Sequence, residues 1–103
     1  MATRNAMLVH EESEYSVVSV TDNSTTVYTG PAILTGVYVN TALSAHALPI
    51  QDGSTSVVSI AASAAVGTNT TFPGIRFNTS IVVNPNDSAT GSVTVAYRKV
   101  NAD

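Results

Sequence analysis

The chain has no cysteine and no tryptophan, and only 11% of its 103 residues are charged. Soluble proteins commonly carry about 25% charged residues. Without cysteine, neither a disulfide framework nor a thiolate zinc site can form. Lysine and arginine together number 4 against a net charge of -3. No basic stripe is available to neutralise phosphates, so a nucleic-acid partner is not expected. Long apolar runs are also missing. The early run from Ala6 to Val9 is too short for a signal-peptide core or a membrane span. Folding in a reducing cytoplasm, with no membrane partner, is the expectation.

β-Branched carbons and hydroxyls take the place of charge. Fifteen Val, 5 Ile and 14 Thr make 34 of the 103 residues β-branched. Such side chains are stiff at χ1 and fit a pleated, half-buried surface. An all-β fold follows, and the length suits one domain.

Two regions differ in character. Residues 1–14 show no period of 2 or 3.6 and hold the acidic cluster Glu11, Glu12 and Glu14. They are read as a frayed terminus or, more sharply, as an extended N-terminal arm that orders against a neighbouring subunit, with Leu8 and Val9 as its apolar anchor. Residues 15–103 read as a β-sandwich domain of short strands separated by turns. Strands are expected at 15–20, 25–29, 32–40, 45–50, 56–60, 75–83 and 92–98. Pro49 should push its strand to a sheet edge, and Gly36 should mark a bulge or a close backbone approach. Along 32–40, Ile33, Thr35, Val37 and Val39 are assigned to one face, and Leu34, Gly36 and Tyr38 to the other. Asp52-Gly53 reads as a hairpin turn and Asn84 to Asp87 as another turn. Residues 61–74 read as a long loop with a helical turn at 61–65. In the last strand Val93, Val95 and Tyr97 should point inward, and Thr94, Ala96 and Arg98 outward. About seven strands at roughly ten-residue spacing suggest an antiparallel sandwich, jelly-roll-like in kind.

Candidate chemistry is sparse. His10-Glu11-Glu12 has the start of a zinc-protease helix motif, but Glu14 occupies the position of its second histidine. His46 has no partner at ligand spacing. No Gly-x-Ser-x-Gly elbow is present. Asp52 and Asp87 could serve as an acid–base pair, but their turn contexts account for both. The four Asn-x-Ser/Thr sequons reflect a chain rich in Ser and Thr. No catalytic residue, metal or cofactor is expected, and the six aromatics, scattered through strands or beside turns, suit packing better than a flat sugar platform.

The run Gly30-Pro31-Ala32-Ile33-Leu34-Thr35-Gly36-Val37-Tyr38-Val39-Asn40 is followed by Asp52-Gly53, Val57 to Ile60 and Phe72 to Phe77. The chain then ends on Ile81 to Val83 and Val93 to Arg98. In this order, over residues 28–99, the sequence resembles the small β-sandwich virion proteins of tailed bacteriophages. The resemblance implies a capsid cement or decoration protein on the outside of the head. Its implied partners are its own copies, as a homotrimer, and the major capsid protein. A small tail adaptor or fibre domain that binds a host-surface ligand is the alternative, although the long β-helical repeats usual in fibres are missing. Under this reading Met7, Leu8 and Val9 would contact the shell, and Tyr38, Phe72 and Phe77 would meet neighbouring copies.

Overall fold

A computed structural model describes residues 13–21, 23–86 and 88–100. Eight strands form: β1 (Ser13–Ser19), β2 (Thr25–Thr29), β3 (Ala32–Thr41), β4 (Leu48–Asp52), β5 (Thr55–Ile60), β6 (Asn69–Phe77), β7 (Ser80–Val83) and β8 (Ser92–Lys99). They make two four-stranded sheets, ordered β1-β8-β3-β6 and β2-β7-β4-β5, and every strand pair is antiparallel. The protein is an all-β sandwich, and the described residues contain no helix.

The pairing has a simple logic. β4 pairs with β5, β3 with β6, β2 with β7 and β1 with β8, so the chain runs out and back as one long ribbon. Alternate lengths of the ribbon lie in opposite sheets. Pairing of β8 with β3 and of β7 with β4 then joins each sheet into four strands. The tip of the ribbon is the β4–β5 hairpin. Asp52 pairs with Thr55 across a two-residue loop, and Gly53 takes φ +64° in its first position. That conformation suits a tight hairpin turn and strains any residue with a Cβ.

The core lies between the sheets. From β1, β3, β6 and β8 come Val18, Leu34, Val37, Val39, Phe77, Val93, Val95 and Tyr97; from the other sheet come Leu48, Ile50, Ile60, Ile81 and Val83. The alternation expected in the last strand is present: Val93, Val95 and Tyr97 are buried, while Arg98 is exposed. Each fully buried side chain of this size contributes about 1.5–3 kcal/mol through removal from water.

Several expectations are corrected. β3 does not keep one alternation along its length. Ala32 and Leu34 face the core, as do Val37 and Val39, while Tyr38 is exposed. The registers of β3 with both neighbours shift between Leu34 and Gly36, and this bulge moves the inward set from even to odd positions. Gly36 is the close approach expected of it, since a Cβ there would lie 3.3 Å from the Thr70 carbonyl oxygen.

The expected strand over 75–83 is two strands in different sheets, with Asn78 and Thr79 as the corner. The expected loop over 61–74 ends early, because Asn69–Phe77 is β6. Pro73 and Gly74 are tolerated since β6 is an edge strand, and since Phe72 to Gly74 bulge out opposite Thr35 in the ladder to β3. Residues 61–68 form no helical turn. They make turns at 62–63 and 66–67 instead, with Ser63 at φ +61° and Gly67 at φ +90°, and are tied down by backbone bonds such as Leu43 N–H to the Ala64 carbonyl and Val39 N–H to the Thr68 carbonyl. β4 starts at Leu48 rather than at 45, and it is interior rather than an edge. Pro49 stands just before the ladder to β7, which begins at Ile50; its carbonyl accepts the Asn84 N–H at 3.1 Å, and its missing N–H forgoes only the return bond at the ladder's end. β1 begins at Ser13, paired with Arg98; residues 13 and 14, assigned to the arm, are therefore strand.

Phe77 is fully buried. Phe77→Ala should lower the unfolding free energy by about 3–5 kcal/mol, measured by urea titration. A loss under about 1 kcal/mol would mean that the core does not close around this ring.

Candidate interaction face and anchoring carboxylate

The outer face of the β1-β8-β3-β6 sheet is built from strand residues that point away from the core. Its cross-strand rows follow from the registers. One row runs Tyr15, Ala96, Gly36, Thr71, and the next runs Val17, Thr94, Tyr38, Asn69. Tyr15 is 71% exposed, Val17 64% and Tyr38 43%. Polar groups on this face satisfy one another without charge: Asn40 Nδ2 donates to Thr94 Oγ1 at 2.7 Å, and Ser92 Oγ donates to Thr41 Oγ1 at 3.2 Å. A third row carries Arg98, Ile33 and Arg76 at one end of the sheet. The middle of the face is thus apolar and hydroxyl-bearing, and it can be covered with little desolvation cost.

The structure separates the residues assigned to contacts between copies. Tyr38 lies on this exposed face. Phe72 is half-buried against the core. Phe77 is in the core with no exposed surface, because β6 turns it inward beside the corner to β7, and it cannot reach a neighbouring molecule in this fold. Met7, Leu8 and Val9 lie outside the described residues, as do His10 and Asp87. The strongly exposed Tyr15 and Val17 were missed by sequence reasoning. Their alternation with buried Val18 and Val20 was the available signal, and it was obscured because Val17 and Val18 are adjacent and equally apolar.

Asp52 has a structural task. Its carboxylate accepts backbone N–H bonds from Asn78 at 2.9 Å, Thr79 at 2.7 Å and Ser80 at 3.3 Å. It thereby fastens the β4–β5 hairpin to the corner where β6 crosses into the opposite sheet. The Asn78 N–H, followed by that of Thr79, holds the carboxyl below its ordinary pKa; burial opposes this, and the Ser80 bond adds a smaller lowering.

A second polar group sits where β1, β8 and β2 meet. Lys99 Nζ lies 2.9 Å from Glu14 Oε2 and 5.6 Å from the centre of the Tyr28 ring. Tyr97 Oη donates to Glu14 Oε1 at 3.4 Å, and the Tyr28 and Tyr97 rings are 5.6 Å apart. The hydrogen bond to Glu14, reinforced by its charge, raises the Lys99 pKa. This cluster closes one end of the sandwich over the core. Among the described residues, no group of three or more His, Asp or Glu side chains gathers to hold a metal.

Comparisons of the chain with protein-family models, with curated proteins and with solved structures find no match.

Asp52→Asn should melt at a lower temperature than the wild type at neutral pH. A carboxyl whose folded-state pKa is depressed stabilises the fold above its unfolded pKa, and that stabilisation is lost as pH falls through the folded value. The difference in melting temperature should therefore shrink as the solution is acidified below the ordinary carboxylate range. An offset that stays constant down to about pH 2 would show that the charge is not the source.

Proposed function

We propose that this chain is a structural virion protein of a tailed bacteriophage, a capsid cement or decoration protein on the outer surface of the head. The observation that carries the reading is the strand order. Two sheets ordered β1-β8-β3-β6 and β2-β7-β4-β5, made from one folded-over ribbon, support a jelly-roll reading of the sandwich. Jelly rolls are recurrent in viral capsid domains. The order of motifs over residues 28–99 that resembles small phage virion proteins supports the same conclusion.

In this role the function is interface area rather than a reactive group. The partners are further copies of the chain, as a homotrimer, and the major capsid protein. A stable contact of this kind covers roughly 1,200–2,000 Å² in total. Attachment of an oligomer at several feet multiplies a modest affinity at each. Tyr38 and Phe72 are the proposed anchors between copies; Met7, Leu8 and Val9 of the N-terminal arm are the proposed anchors to the shell. The low charge of the sheet face suits such coverage, since few ions would have to be desolvated. The protein would be made in the host cytoplasm and need no disulfide to persist outside it.

The test is where the chain resides in purified particles. Heads and tails are separated and probed by mass spectrometry and antibody labelling, and the pure protein is mixed with undecorated shells. The expected result is head location and saturable shell binding that weakens at least tenfold when residues 1–9 are deleted. Location on the tail, with binding to host cells, would replace this reading by a tail adaptor or fibre domain. Undiminished binding after the deletion would remove Met7, Leu8 and Val9 from the contact.

A further inference from the structure

We infer that the free edge of β1 pairs antiparallel with β1 of a second copy across a twofold axis through Ser16, continuing the sheet from one molecule into the next. The inference does not depend on the virion reading: in free solution it expects a twofold dimer where that reading expects a homotrimer, so the oligomeric state separates the two.

The four sheet edges differ in how they are protected. β6 carries Pro73, Gly74 and Arg76. β2 has a register break between Thr26 and Tyr28, and β5 pairs with a β4 whose register breaks at Ile50. Proline, bulges and charge are the usual means of blunting an edge. β1 has neither proline nor bulge. It runs seven residues in unbroken register, with no Pro or Gly, and its one ion, Glu14, is engaged by Lys99. Among the described residues, no strand covers its other side.

Backbone parity says which groups are available there. Val20 N–H bonds to the Gly91 carbonyl at 2.8 Å, in the same register as the β1–β8 ladder. In an antiparallel ladder the residues that bond to the partner alternate with residues whose N–H and C=O point away. Val18, Ser16 and Glu14 therefore bond towards β8. Ser13, Tyr15, Val17 and Ser19 direct their N–H and C=O groups outward.

A second β1 meets these requirements in a single register of full overlap. With Ser16 facing its own copy, Tyr15 pairs with Val17 of the other molecule and Ser13 with Ser19, so the outward groups of each strand meet the outward groups of the other. Tyr15 and Val17 are also the most exposed apolar side chains of the outer face. An aromatic ring opposite a β-branched side chain is a favourable cross-strand pair. Glu14 falls opposite Val18, and the two Glu14 residues stand roughly 14 Å apart along the strands, beyond the screening length at physiological salt. The face of Tyr15, Val17 and Tyr38 then runs across the junction without a like-charge contact. Such a strand pair covers on the order of several hundred Å², short of the area of a permanent complex, so the association is concentration-dependent.

Two cysteine variants test the register, with no native cysteine to interfere. Facing residues in a non-hydrogen-bonded pair have Cα atoms about 4.5 Å apart, within disulfide reach. With oxidised glutathione as oxidant, Ser16→Cys should become a covalent dimer, whereas Ser19→Cys, whose copies would lie roughly 20 Å apart along the strands, should not. In sedimentation velocity from about 10 µM to about 1 mM, the wild type should move from monomer to dimer. Val17→Pro deletes one outward N–H and leaves every bond to β8 in place; Val17→Lys adds a charge to the same edge. Both variants should remain monomeric over the same range with an unchanged circular dichroism spectrum. If Val17→Pro does not fold, Val17→Lys alone decides. A wild-type monomer throughout, equal cross-linking at Ser16 and Ser19, or dimers that persist in Val17→Lys would each overturn the pairing. A trimer without Ser16 cross-linking would overturn it too, while leaving the virion reading intact.

Discussion

Most of the buried side chains here depend on one constraint: along a strand, only alternate positions face the core. A one-residue slip would turn Val93, Val95 and Tyr97 to solvent and bring Thr94 and Arg98 inside. Two features allow the chain to change this alternation where the fold requires it. The bulge at Thr35 and Gly36 lets β3 bury Leu34 and then Val37. The corner at Asn78 and Thr79 sends the chain from one sheet to the other and buries Phe77 before it and Ile81 after it. Gly36 fits the bulge because it has no Cβ to press on the Thr70 carbonyl. The corner keeps its shape because the Asp52 carboxylate accepts both of its backbone N–H groups and that of Ser80 beside it.

The parts legible from the sequence were those in which local pattern and tertiary packing agree. β8 alternates without interruption, and its inward residues could be named in advance. The Asp52-Gly53 hairpin was legible because a tight turn needs a residue of positive φ. Where a long-range contact decides, the local signal misled. Pro73-Gly74 looks like the end of a loop, yet it belongs to a strand whose outer edge demands no N–H. Pro49 looks like an edge marker, yet it sits in an interior strand just before the ladder to β7 begins. Residues 75–83 look like one strand, because nothing local announces a two-residue corner held by a carboxylate 26 positions away. Phe77 shows the same limit at the candidate site. An aromatic residue in a strand can be core or contact, and only the direction of the corner separates the two.

Low charge has a different meaning in different parts of this molecule. In the core it is ordinary. On the outer face of the β1-β8-β3-β6 sheet it leaves rows of Tyr, Val, Thr and Ala with hydroxyl and amide groups bonded to each other. Such a face loses little when another protein covers it, and exposes much apolar area when none does. Among the described residues, three ions do structural work. Glu14 and Lys99 close one end of the sandwich with Tyr28 and Tyr97, and Asp52 holds the corner. An isolated surface pair such as Glu14 with Lys99 adds little stability in water. Its greater effect is to keep a charge from standing free at the end of β1.

That placement connects the fold to the surface. β1 is the first described strand of the ribbon and β8 the last, so their pairing closes the sandwich and leaves the outer side of β1 as the sheet's boundary. A boundary strand has two kinds of unsatisfied surface, its side-chain face and its backbone edge. In most strands these need not coincide in sequence. In β1 they do, because the residues that direct N–H and C=O outward, Ser13, Tyr15, Val17 and Ser19, are the same ones whose side chains leave the core. A partner that bonds to the edge therefore meets Tyr15 and Val17 at the same positions. Hydrogen-bond direction and apolar burial then favour the same register, and their agreement gives an edge-to-edge contact specificity that hydrophobicity alone would lack.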